Sequence, residues 1–125
     1  MSNSELRSNL SKSDLVILPS RFDGWGAIVN ESLMVGTPVV CSNMAGASDL
    51  INELNGDVFN SENITHLAQI LSKRINQGFV PLEIREQIIK WSDCISPQVV
   101  AKYFYTTLFA LLNKDEAHNP PPWLN

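Results

Sequence analysis

The stretch that decides the fold runs Ser20-Arg-Phe-Asp-Gly-Trp-Gly-Ala-Ile-Val-Asn-Glu-Ser-Leu-Met-Val-Gly-Thr-Pro-Val-Val40. Its pattern predicts a glycine turn, then a short helix, then a buried strand. Gly24 and Gly26 are expected to let the backbone approach a ligand closely, because a residue without Cβ tolerates unusual dihedrals. The unpaired first amides of the helix carry partial positive charge, which suits a phosphate or carboxylate. Asp23 and Glu31 therefore flank a predicted anion site.

Composition bounds the class of protein. A chain of 125 residues is enough for one domain, and its 44% hydrophobic and 18% charged residues are typical of a globular fold. A net charge of −4 without a Lys/Arg-rich run argues against nucleic acid or an anionic membrane as a direct partner. The apolar runs are too short for a transmembrane segment or a signal peptide. Two distant cysteines, Cys41 and Cys94, are expected to be reduced thiols in a cytoplasmic protein.

Apolar runs around the focal stretch predict three strands. Continuous runs at 15–18 and 38–42 indicate strands that are covered on both faces, as in a parallel sheet. Residues 56–59 predict a weaker third strand. The loop at 43–48 is followed by one or two expected helical turns at 49–54.

Capping signals and helical spacing predict the remaining elements. Ser2 and Glu5 fit a capping box that opens a helix to about residue 12. A second surface helix is expected over 62–77, with Ser61 as its N-cap. Its buried side is expected to carry Ile64, Leu67, Ala68, Leu71 and Ile75. Further helices are predicted over 81–91 and over 97–113, the last one after the start signal Ser96-Pro97.

This alternation predicts an α/β fold. We expect a partial Rossmann-like parallel sheet of about three strands, with flanking helices and a long C-terminal helix. Residues 1–113 are assigned to the domain, and the proline-rich residues 114–125 to an extended or disordered tail. In a sheet of only three strands, at least one strand whose sequence predicts cover on both faces lies at an edge. This indicates that the chain is part of a larger structure.

A resemblance to a known family rests on four groups of residues: Pro19-Ser20, Asp23-Gly-Trp-Gly26, Asn30-Glu31 and Gly36-Thr-Pro-Val-Val40. They resemble the donor-binding segment of family 4 glycosyltransferases of the GT-B fold. That family shows an acidic-x-aromatic-Gly turn, a second Glu eight residues after the first acid, and a Gly-Thr-Pro-Val-Val strand. Residues 46–51, 56–59 and 63–71 are similar to its next loop, strand and helix, so the resemblance extends nearly to residue 112.

The resemblance implies roles for individual residues. A nucleotide sugar would lie over the helix start, with the turn residues Gly24 and Trp25 beside it. Glu31 would hold the ribose hydroxyls, and Asp23 would hold hydroxyls of the transferred sugar. The diphosphate would contact the amides of Gly26, Ala27 and Ile28. The family's retaining chemistry needs no metal or other cofactor, so none is expected here. Glu31 lies five residues beyond Gly26, roughly 7–8 Å along a helix, which is of the order of the distance from a diphosphate to its ribose.

Three departures from the family pattern stand out. Asp23 occupies a position where the family more often has Glu, which shortens the reach by roughly 1–1.5 Å. Trp25 replaces the commoner Phe. The acceptor-binding domain and the first half of the donor domain, with its basic phosphate-binding residues, have no counterpart here, and Arg21 does not match the family's Arg/Lys position.

Plainer interpretations stand beside these. Asp23 alone would more often cap the helix, and Glu31 alone would more often be a solvated surface residue. Trp25 and Trp91 are more often packing residues than ligand platforms. Neither His66, on a surface helix, nor His118, in the tail, suits a catalytic base. Ser20 has no His and Asp to form a hydrolase triad. The last helix is either core or a surface for a missing domain.

The leading hypothesis is therefore part of a glycosyltransferase that moves a hexosyl group from a nucleotide sugar to a polysaccharide, lipopolysaccharide or similar acceptor, and that is inactive alone. It would be cytoplasmic, or peripheral to the inner face of the membrane. The alternative is a non-catalytic remnant or interaction module whose exposed sheet edge and last helix dock onto a partner chain. Other expected partners are a missing N-terminal domain and a second copy that pairs through the exposed sheet edge. A weaker third hypothesis is an unrelated small α/β domain with a convergent anion site.

Overall fold

A three-stranded parallel sheet forms the centre of the molecule, in a computed structural model that describes residues 2–114 and 119–124. The strands are β1 (Val16–Leu18), β2 (Val39–Ser42) and β3 (Gly56–Phe59), in the spatial order β1-β2-β3. Val39 of β2 pairs with Val16 on one side and with Gly56 on the other. The predicted α/β class and the three-stranded parallel sheet are confirmed.

Five α-helices and three 3-10 turns surround the sheet within the described residues. The helices are α1 (Asn3–Lys12), α2 (Ala27–Met34), α3 (Ile64–Gln77), α4 (Leu82–Ser92) and α5 (Pro97–Leu112). The 3-10 turns are Gly46–Leu50, Asp93–Ile95 and Pro122–Leu124. The capping box is confirmed, because the Ser2 amide donates to the Glu5 carboxylate at 2.6 Å and the Glu5 amide donates to Ser2 Oγ at 3.3 Å. None of the helices in the described part of the chain has the length and apolarity needed to cross a bilayer.

One face of the sheet carries the larger core. Val39 and Cys41 of β2 point to this face and are fully buried. They pack with Val29 and Leu33 of α2 and with Ile88 of α4. Burial in this apolar setting raises the pKa of the Cys41 thiol to about 11. α2 therefore lies firmly on the sheet, and its first turn is held close to the carboxyl end of β1.

The other face of the sheet is covered by α3, in an orientation that differs from the prediction. Ile70 packs on Val40 and Phe59, whereas Ile64 and Ile75 are 81% and 77% exposed. Arg74 also lies on the side of α3 that faces the sheet, where its Nε donates to the Asp57 carboxylate of β3 at 2.6 Å. The face that α3 turns towards the sheet therefore includes a half-buried ion pair, which the apolar spacing did not predict.

Two helix starts also differ from the prediction. The N-cap of α3 is Asn63, whose side chain accepts from the His66 amide at 2.9 Å, so Ser61 is not the cap. The helical turn expected at 49–54 lies at Gly46–Leu50 as a 3-10 turn. α5 begins at Pro97 as predicted, although Ser96 makes no capping hydrogen bond through its side chain.

The first strand is covered less than its sequence predicted. Ile17 lies in the middle of β1 and is 42% exposed, while its neighbours Val16 and Leu18 are half-buried. The expectation of cover on both faces is wrong here, because the cluster on that side joins Ile70 of α3 to Val40 of β2 and Phe59 of β3 and includes no residue of β1. β1 is also an edge strand of the described sheet, as the sequence suggested for one of the strands.

The amino edge of the sheet is closed by a polar network around the buried Thr37. Thr37 Oγ1 donates to the Leu10 carbonyl at 2.7 Å. Arg85 of α4 donates to the Ser13 carbonyl at 2.7 Å and to the Asp14 carboxylate at 3.0 Å. Gly36 has φ +78°, and a Cβ there would lie 2.8 Å from the Arg85 carbonyl oxygen. The prediction that α2 ends at Gly36 is confirmed. The absence of a side chain at Gly36 also leaves room for α4.

The proline-rich end is described only over residues 119–124. There the chain forms the turn Pro122–Leu124, and Trp123 meets Tyr103 of α5 edge-on at 5.9 Å between ring centroids. His118 lies outside the described residues. The domain boundary after residue 113 stays a prediction.

Candidate functional site

The turn before α2 is fixed to the loop after β2. Asp23 forms an isolated parallel bridge with Ala45. The Asp23 amide donates to the Met44 carbonyl at 3.1 Å, and the Gly46 amide donates to the Asp23 carbonyl at 3.3 Å. Ala47 adds a hydrogen bond of 2.6 Å to the Trp25 carbonyl. The backbone of the turn therefore continues the sheet beyond its carboxyl edge.

The glycines of the turn have different roles. Gly26 is buried and has φ +89°, a dihedral that other residues rarely adopt, so its backbone conformation requires glycine. A Cβ on Gly24 would meet nothing within 4 Å, and no structural need for glycine is visible there. Gly46 fits closely instead, since a Cβ there would lie 2.5 Å from the Gly24 carbonyl oxygen. The close contacts at Gly26 and Gly46 are within the protein, so the predicted approach of a ligand to Gly24 and Gly26 stays a prediction.

The start of α2 presents free amide groups. Gly26 is the N-cap of α2, and no side chain of the described residues makes a capping hydrogen bond to this helix. The Val29 amide donates to the Gly26 carbonyl at 2.9 Å, but the amides of Gly26, Ala27 and Ile28 have no acceptor among the described residues. Such groups carry the positive end of the helix dipole. The anion site that the sequence predicted has the geometry of an open helix start.

The carboxylate of Asp23 is available to a ligand. The plainer interpretation of Asp23 as the cap of α2 is wrong, because Gly26 is the N-cap and no side chain caps this helix. The Asp23 side chain is half-buried, and within residues 2–114 and 119–124 nothing donates a hydrogen bond to it. Backbone hydrogen bonds fix the position of Asp23 while its carboxylate stays unpaired.

Glu31 lies on α2, about one helical turn beyond the free amides. It is half-buried and lines a cavity of about 300 Å³ together with Asn3, Ser4 and Arg7 of α1. No ion pair or hydrogen bond engages its carboxylate in the part of the chain that the structure describes. A half-buried glutamate without a partner is not the solvated surface residue of the plainer interpretation.

Arg7 was not singled out from the sequence. It shares one face of α1 with Asn3, four residues earlier, and this spacing was the only available signal. Its position beside Glu31 depends on how α1 packs on α2, which no local pattern specifies. Arg7 adds a positive charge to a cavity that also holds a carboxylate.

Trp25 is neither a core residue nor a free platform. Its indole Nε1 donates to Asn30 Oδ1 at 2.8 Å, and 46% of the residue is exposed. This hydrogen bond joins the ring to the side of α2 that carries Asn30. Trp91, by contrast, is half-buried against the larger core, as the packing interpretation predicted.

A second polar group lies at the same edge, after β2 and β3. Asn43 Oδ1 accepts from the Ser61 amide at 2.9 Å, and His66 Nδ1 accepts from the Asn60 amide at 3.4 Å. Arg21 of the turn lies 3.8 Å from Glu62, but both side chains are largely exposed, so this pair contributes little. No group of three or more His, Cys, Asp or Glu in the described residues is arranged to hold a metal ion.

Together these features define what the site can bind. Free amides at a helix start bind an anion, and a carboxylate accepts hydrogen bonds from hydroxyl groups. One such carboxylate precedes the amides and a second follows them. The ligand that matches this order carries hydroxyls, then a phosphate-like charge, then hydroxyls again.

Comparison with known proteins agrees with this chemistry. The family model described as "Glycosyl transferases group 1" matches residues 1–92, which is more than half of the chain. The chain belongs to this family of glycosyl transferases. The GT-B resemblance that the motif indicated is thereby confirmed, and the matched range contains the turn, α2 and all three strands.

Three curated bacterial relatives match part of this chain. A 41.2 kDa protein of the cps region of Klebsiella pneumoniae, named as uncharacterized, is 29% identical over 70 residues, 55% of this chain and 20% of its own length. A protein of Escherichia coli strain K12 named a candidate colanic acid biosynthesis glycosyl transferase, WcaC, is 26% identical over 66% of this chain and 20% of its own length. One of Bacillus subtilis strain 168, named a candidate teichuronic acid biosynthesis glycosyltransferase, TuaC, is 28% identical over 69% of this chain and 22% of its own. The chain thus spans about a fifth of these relatives.

Proposed function

We propose that this chain is the nucleotide-sugar-binding portion of a retaining GT-B glycosyltransferase of family 4. The enzyme would transfer a hexosyl group from the nucleotide sugar to a polysaccharide, lipopolysaccharide or similar acceptor. The observation that carries the proposal is the pair of unpartnered carboxylates, Asp23 and Glu31, on either side of the free amides of α2. The names of the relatives in colanic and teichuronic acid biosynthesis support the acceptor class.

Glu31 is proposed to bind the ribose. A carboxylate accepts two hydroxyl hydrogen bonds well, and a charged acceptor makes stronger bonds than a neutral one. The cavity of about 300 Å³ beside Glu31 leaves room for a ribose ring against α1. Arg7 at the same cavity limits the cost of bringing a carboxylate out of water.

The diphosphate is proposed to lie over the amides of Gly26, Ala27 and Ile28. Asp23 would then receive the hydroxyls of the transferred sugar, and the short side chain of Asp would bring that sugar close to the turn. As the sugar–phosphate bond breaks, the helix amides stabilise the negative charge on the leaving diphosphate. We propose that the reaction uses no metal, in line with the family resemblance.

Catalysis by the chain alone is not part of the proposal. Positioning the acceptor against the donor supplies a large share of an enzyme's rate enhancement. Acceptor recognition and the basic residues that meet the diphosphate in such enzymes are proposed to come from other parts of a longer protein or from a partner chain. The chain alone should therefore bind donor without transferring sugar.

Calorimetric titration with UDP, GDP and their hexose conjugates tests donor binding. We expect saturable binding of at least one nucleotide at millimolar concentration. Glu31→Gln should weaken it about tenfold, because a charge-assisted hydrogen bond contributes roughly 1.5–3 kcal/mol. Glu86→Gln on the exposed side of α4 is the matched control and should leave the affinity unchanged. Absence of binding at 10 mM for all ligands, or equal loss in both variants, would refute the donor site.

A non-catalytic interaction module remains the second candidate function, and one observation favours it. α5 has no buried residue and exposes several large apolar side chains. Failure of every nucleotide to bind, together with partner binding through α5, would decide for this candidate.

A further inference from the structure

The cavity of about 300 Å³ between α1 and α2 is lined by two opposite charges that are not paired with each other. Glu31 lines it from α2, and Asn3, Ser4 and Arg7 line it from α1. Within the described residues, the side chains of Arg7 and Glu31 have neither an ion pair nor a hydrogen bond. Both charges are therefore available to a ligand that occupies this cavity.

The α1 side of the cavity differs from the α2 side in its hydrogen-bonding capacity. The Ser4 hydroxyl is already hydrogen-bonded to Ser2 Oγ at 2.9 Å. The Asn3 carboxamide both donates and accepts, so it can pair with the edge of any nucleobase. Arg7 carries five N–H donors and no acceptor. Of these side chains, Arg7 is therefore the one that discriminates between ligands by where their acceptors lie.

The position of the cavity matches the base end of a nucleotide, and this step rests on the proposed donor site. In a nucleotide, the base and the diphosphate are attached at opposite ends of the ribose. The diphosphate is proposed to lie over the amides of Gly26, Ala27 and Ile28, and the described residues that line the cavity include none of these three. With the ribose hydroxyls on Glu31, the base therefore points towards α1 and Arg7.

The guanidinium group of arginine selects among the bases by its geometry. It presents two parallel N–H donors, which pair best with two acceptors that lie side by side. Guanine offers such a pair in O6 and N7. Adenine places the N6 amino donor beside N7, and a pyrimidine with a carbonyl at this edge offers one acceptor beside a carbon. Guanine is thus the base that satisfies both donors of the fork.

We propose that Arg7 is the residue that determines base specificity, and that the donor is a guanosine diphosphate sugar. Arg7 donates two hydrogen bonds to O6 and N7 of guanine while Glu31 accepts from the ribose hydroxyls. Asn3, four residues before Arg7 on the same face of α1, pairs with another edge of the base. The proposal narrows the substrate class of the donor site to one base.

Calorimetric titration of the 125-residue chain with GDP, UDP and 7-deaza-GDP tests the proposal. GDP should bind about tenfold more tightly than UDP, because a bidentate contact of arginine with guanine discriminates strongly against other bases. In 7-deaza-GDP a C–H group replaces N7, so one of the two hydrogen bonds is lost and binding should weaken about fivefold. This comparison needs no variant of the protein.

Variants of Arg7 assign the preference to this side chain. Arg7→Ala should weaken GDP about tenfold, leave UDP within about twofold, and remove the difference between GDP and 7-deaza-GDP. Arg7→Lys keeps the charge but not the fork, so it should also lose most of the preference for GDP. Lys12→Ala, which removes one positive charge from the same helix outside the cavity, is the matched control and should keep the preference. Circular dichroism checks that α1 is folded in each variant.

Three outcomes would overturn the assignment of guanine to Arg7. They are tighter binding of UDP than of GDP, equal binding of GDP and 7-deaza-GDP, and an equal loss for every nucleotide in Arg7→Ala, which would assign Arg7 to the ribose or the phosphates. In each of these cases the donor site itself stands if Glu31→Gln still weakens the nucleotide that binds. Absence of binding by every nucleotide would refute the donor site together with its base specificity.

Discussion

The two ends of the sheet differ in whether their polar groups are paired within the protein. At the amino edge, Thr37 donates to Leu10 at 2.7 Å, and Arg85 joins the loop before β1 to α4. At the carboxyl edge, the carboxylates of Asp23 and Glu31 find no partner in the described residues. One continuous motif of 21 residues supplies both ends. Its glycine–threonine–proline segment stabilises the fold, and its acidic turn is left open for a ligand.

This difference separates stability from binding within one motif. Polar groups that are paired inside the protein contribute to the free energy of unfolding, and removing one partner leaves the other unsatisfied. Polar groups that await a ligand contribute little to folding. Substitutions at the amino edge should therefore change stability, and those at the carboxyl edge should change affinity.

The largest effect is expected from Arg85→Ala. The Arg85 side chain is 16% exposed and donates to two backbone carbonyls, those of Ser11 at 3.3 Å and Ser13 at 2.7 Å, besides the Asp14 carboxylate. Its loss should lower the free energy of unfolding by about 3 kcal/mol, because hydrogen bonds to a charged donor are strong and their acceptors would be left unpaired. Urea unfolding measures this change.

Lys90→Ala, at an exposed position of α4, is the control for Arg85→Ala and should stay within about 0.5 kcal/mol of the parent. Nucleotide affinity per folded molecule should not change in either variant. If Arg85→Ala and Lys90→Ala lowered the free energy of unfolding equally, the amino edge would not be the end whose paired polar groups stabilise the fold.

A smaller effect is expected from raising the pH, through Cys41 on the strand between the two ends. Burial raises its pKa from 9.0 to about 11 in the folded state. The folded state thus holds the proton more tightly, so stability is full below pH 9 and falls as the pH rises towards 11, by about 2 kcal/mol. Urea midpoints at pH 8 and pH 10.5 measure the loss.

Cys41→Ala isolates the thiol contribution, since other groups also titrate at high pH. The variant should be less stable at pH 8 because of the cavity, yet it should lose less stability between the two pH values. An identical pH dependence in parent and variant would show that the thiol is ionised as easily in the folded state as in the unfolded one.

Asp23→Asn should act on binding alone and more weakly. The side chain caps nothing, so the free energy of unfolding should stay within about 0.5 kcal/mol. Affinity for a nucleotide sugar should fall about fivefold, and affinity for the nucleotide without its sugar should not fall, because the proposed contact is to the sugar. Calorimetry on both ligands checks this; a loss shared by the two would assign Asp23 to the phosphate instead.

The smallest effect is expected at Trp25 and Asn30. Their 2.8 Å hydrogen bond is exposed, so its coupling energy should be about 0.5 kcal/mol. A double-mutant cycle with Trp25→Phe and Asn30→Ala, followed by urea unfolding, measures it. A coupling above about 1.5 kcal/mol would show that the carboxyl edge also carries stabilising polar contacts.

Much of the fold could be predicted because it follows from local patterns. Apolar runs marked β1 and β2, and Ser2 with Glu5 marked the start of α1. The orientation of α3 could not be predicted, because the ion pair of Arg74 with Asp57 joins residues 17 apart in sequence. The exposure of Ile17 also depends on which strands α3 covers, and an apolar run by itself does not show that.

The candidate site divides in the same way. Asp23 and Glu31 were predicted because their spacing around the glycine turn belongs to one segment of the chain. The position of Arg7 beside Glu31 depends on the packing of α1 against α2. The position of His66 beside Asn60 depends on where α3 begins. Distances of this kind are set by tertiary packing, so the residues that complete the site had no local signature.

The bridge between Asp23 and Ala45 has a consequence for the energetics of ligand binding. Because the turn is already hydrogen-bonded to the loop after β2, little backbone entropy remains to be lost when a ligand arrives. The amides of Asp23, Gly46 and Ala47 should accordingly exchange slowly with deuterated solvent even in the free protein. The turn is preorganised, and the free energy of its contacts with a ligand goes into affinity instead of into ordering the chain.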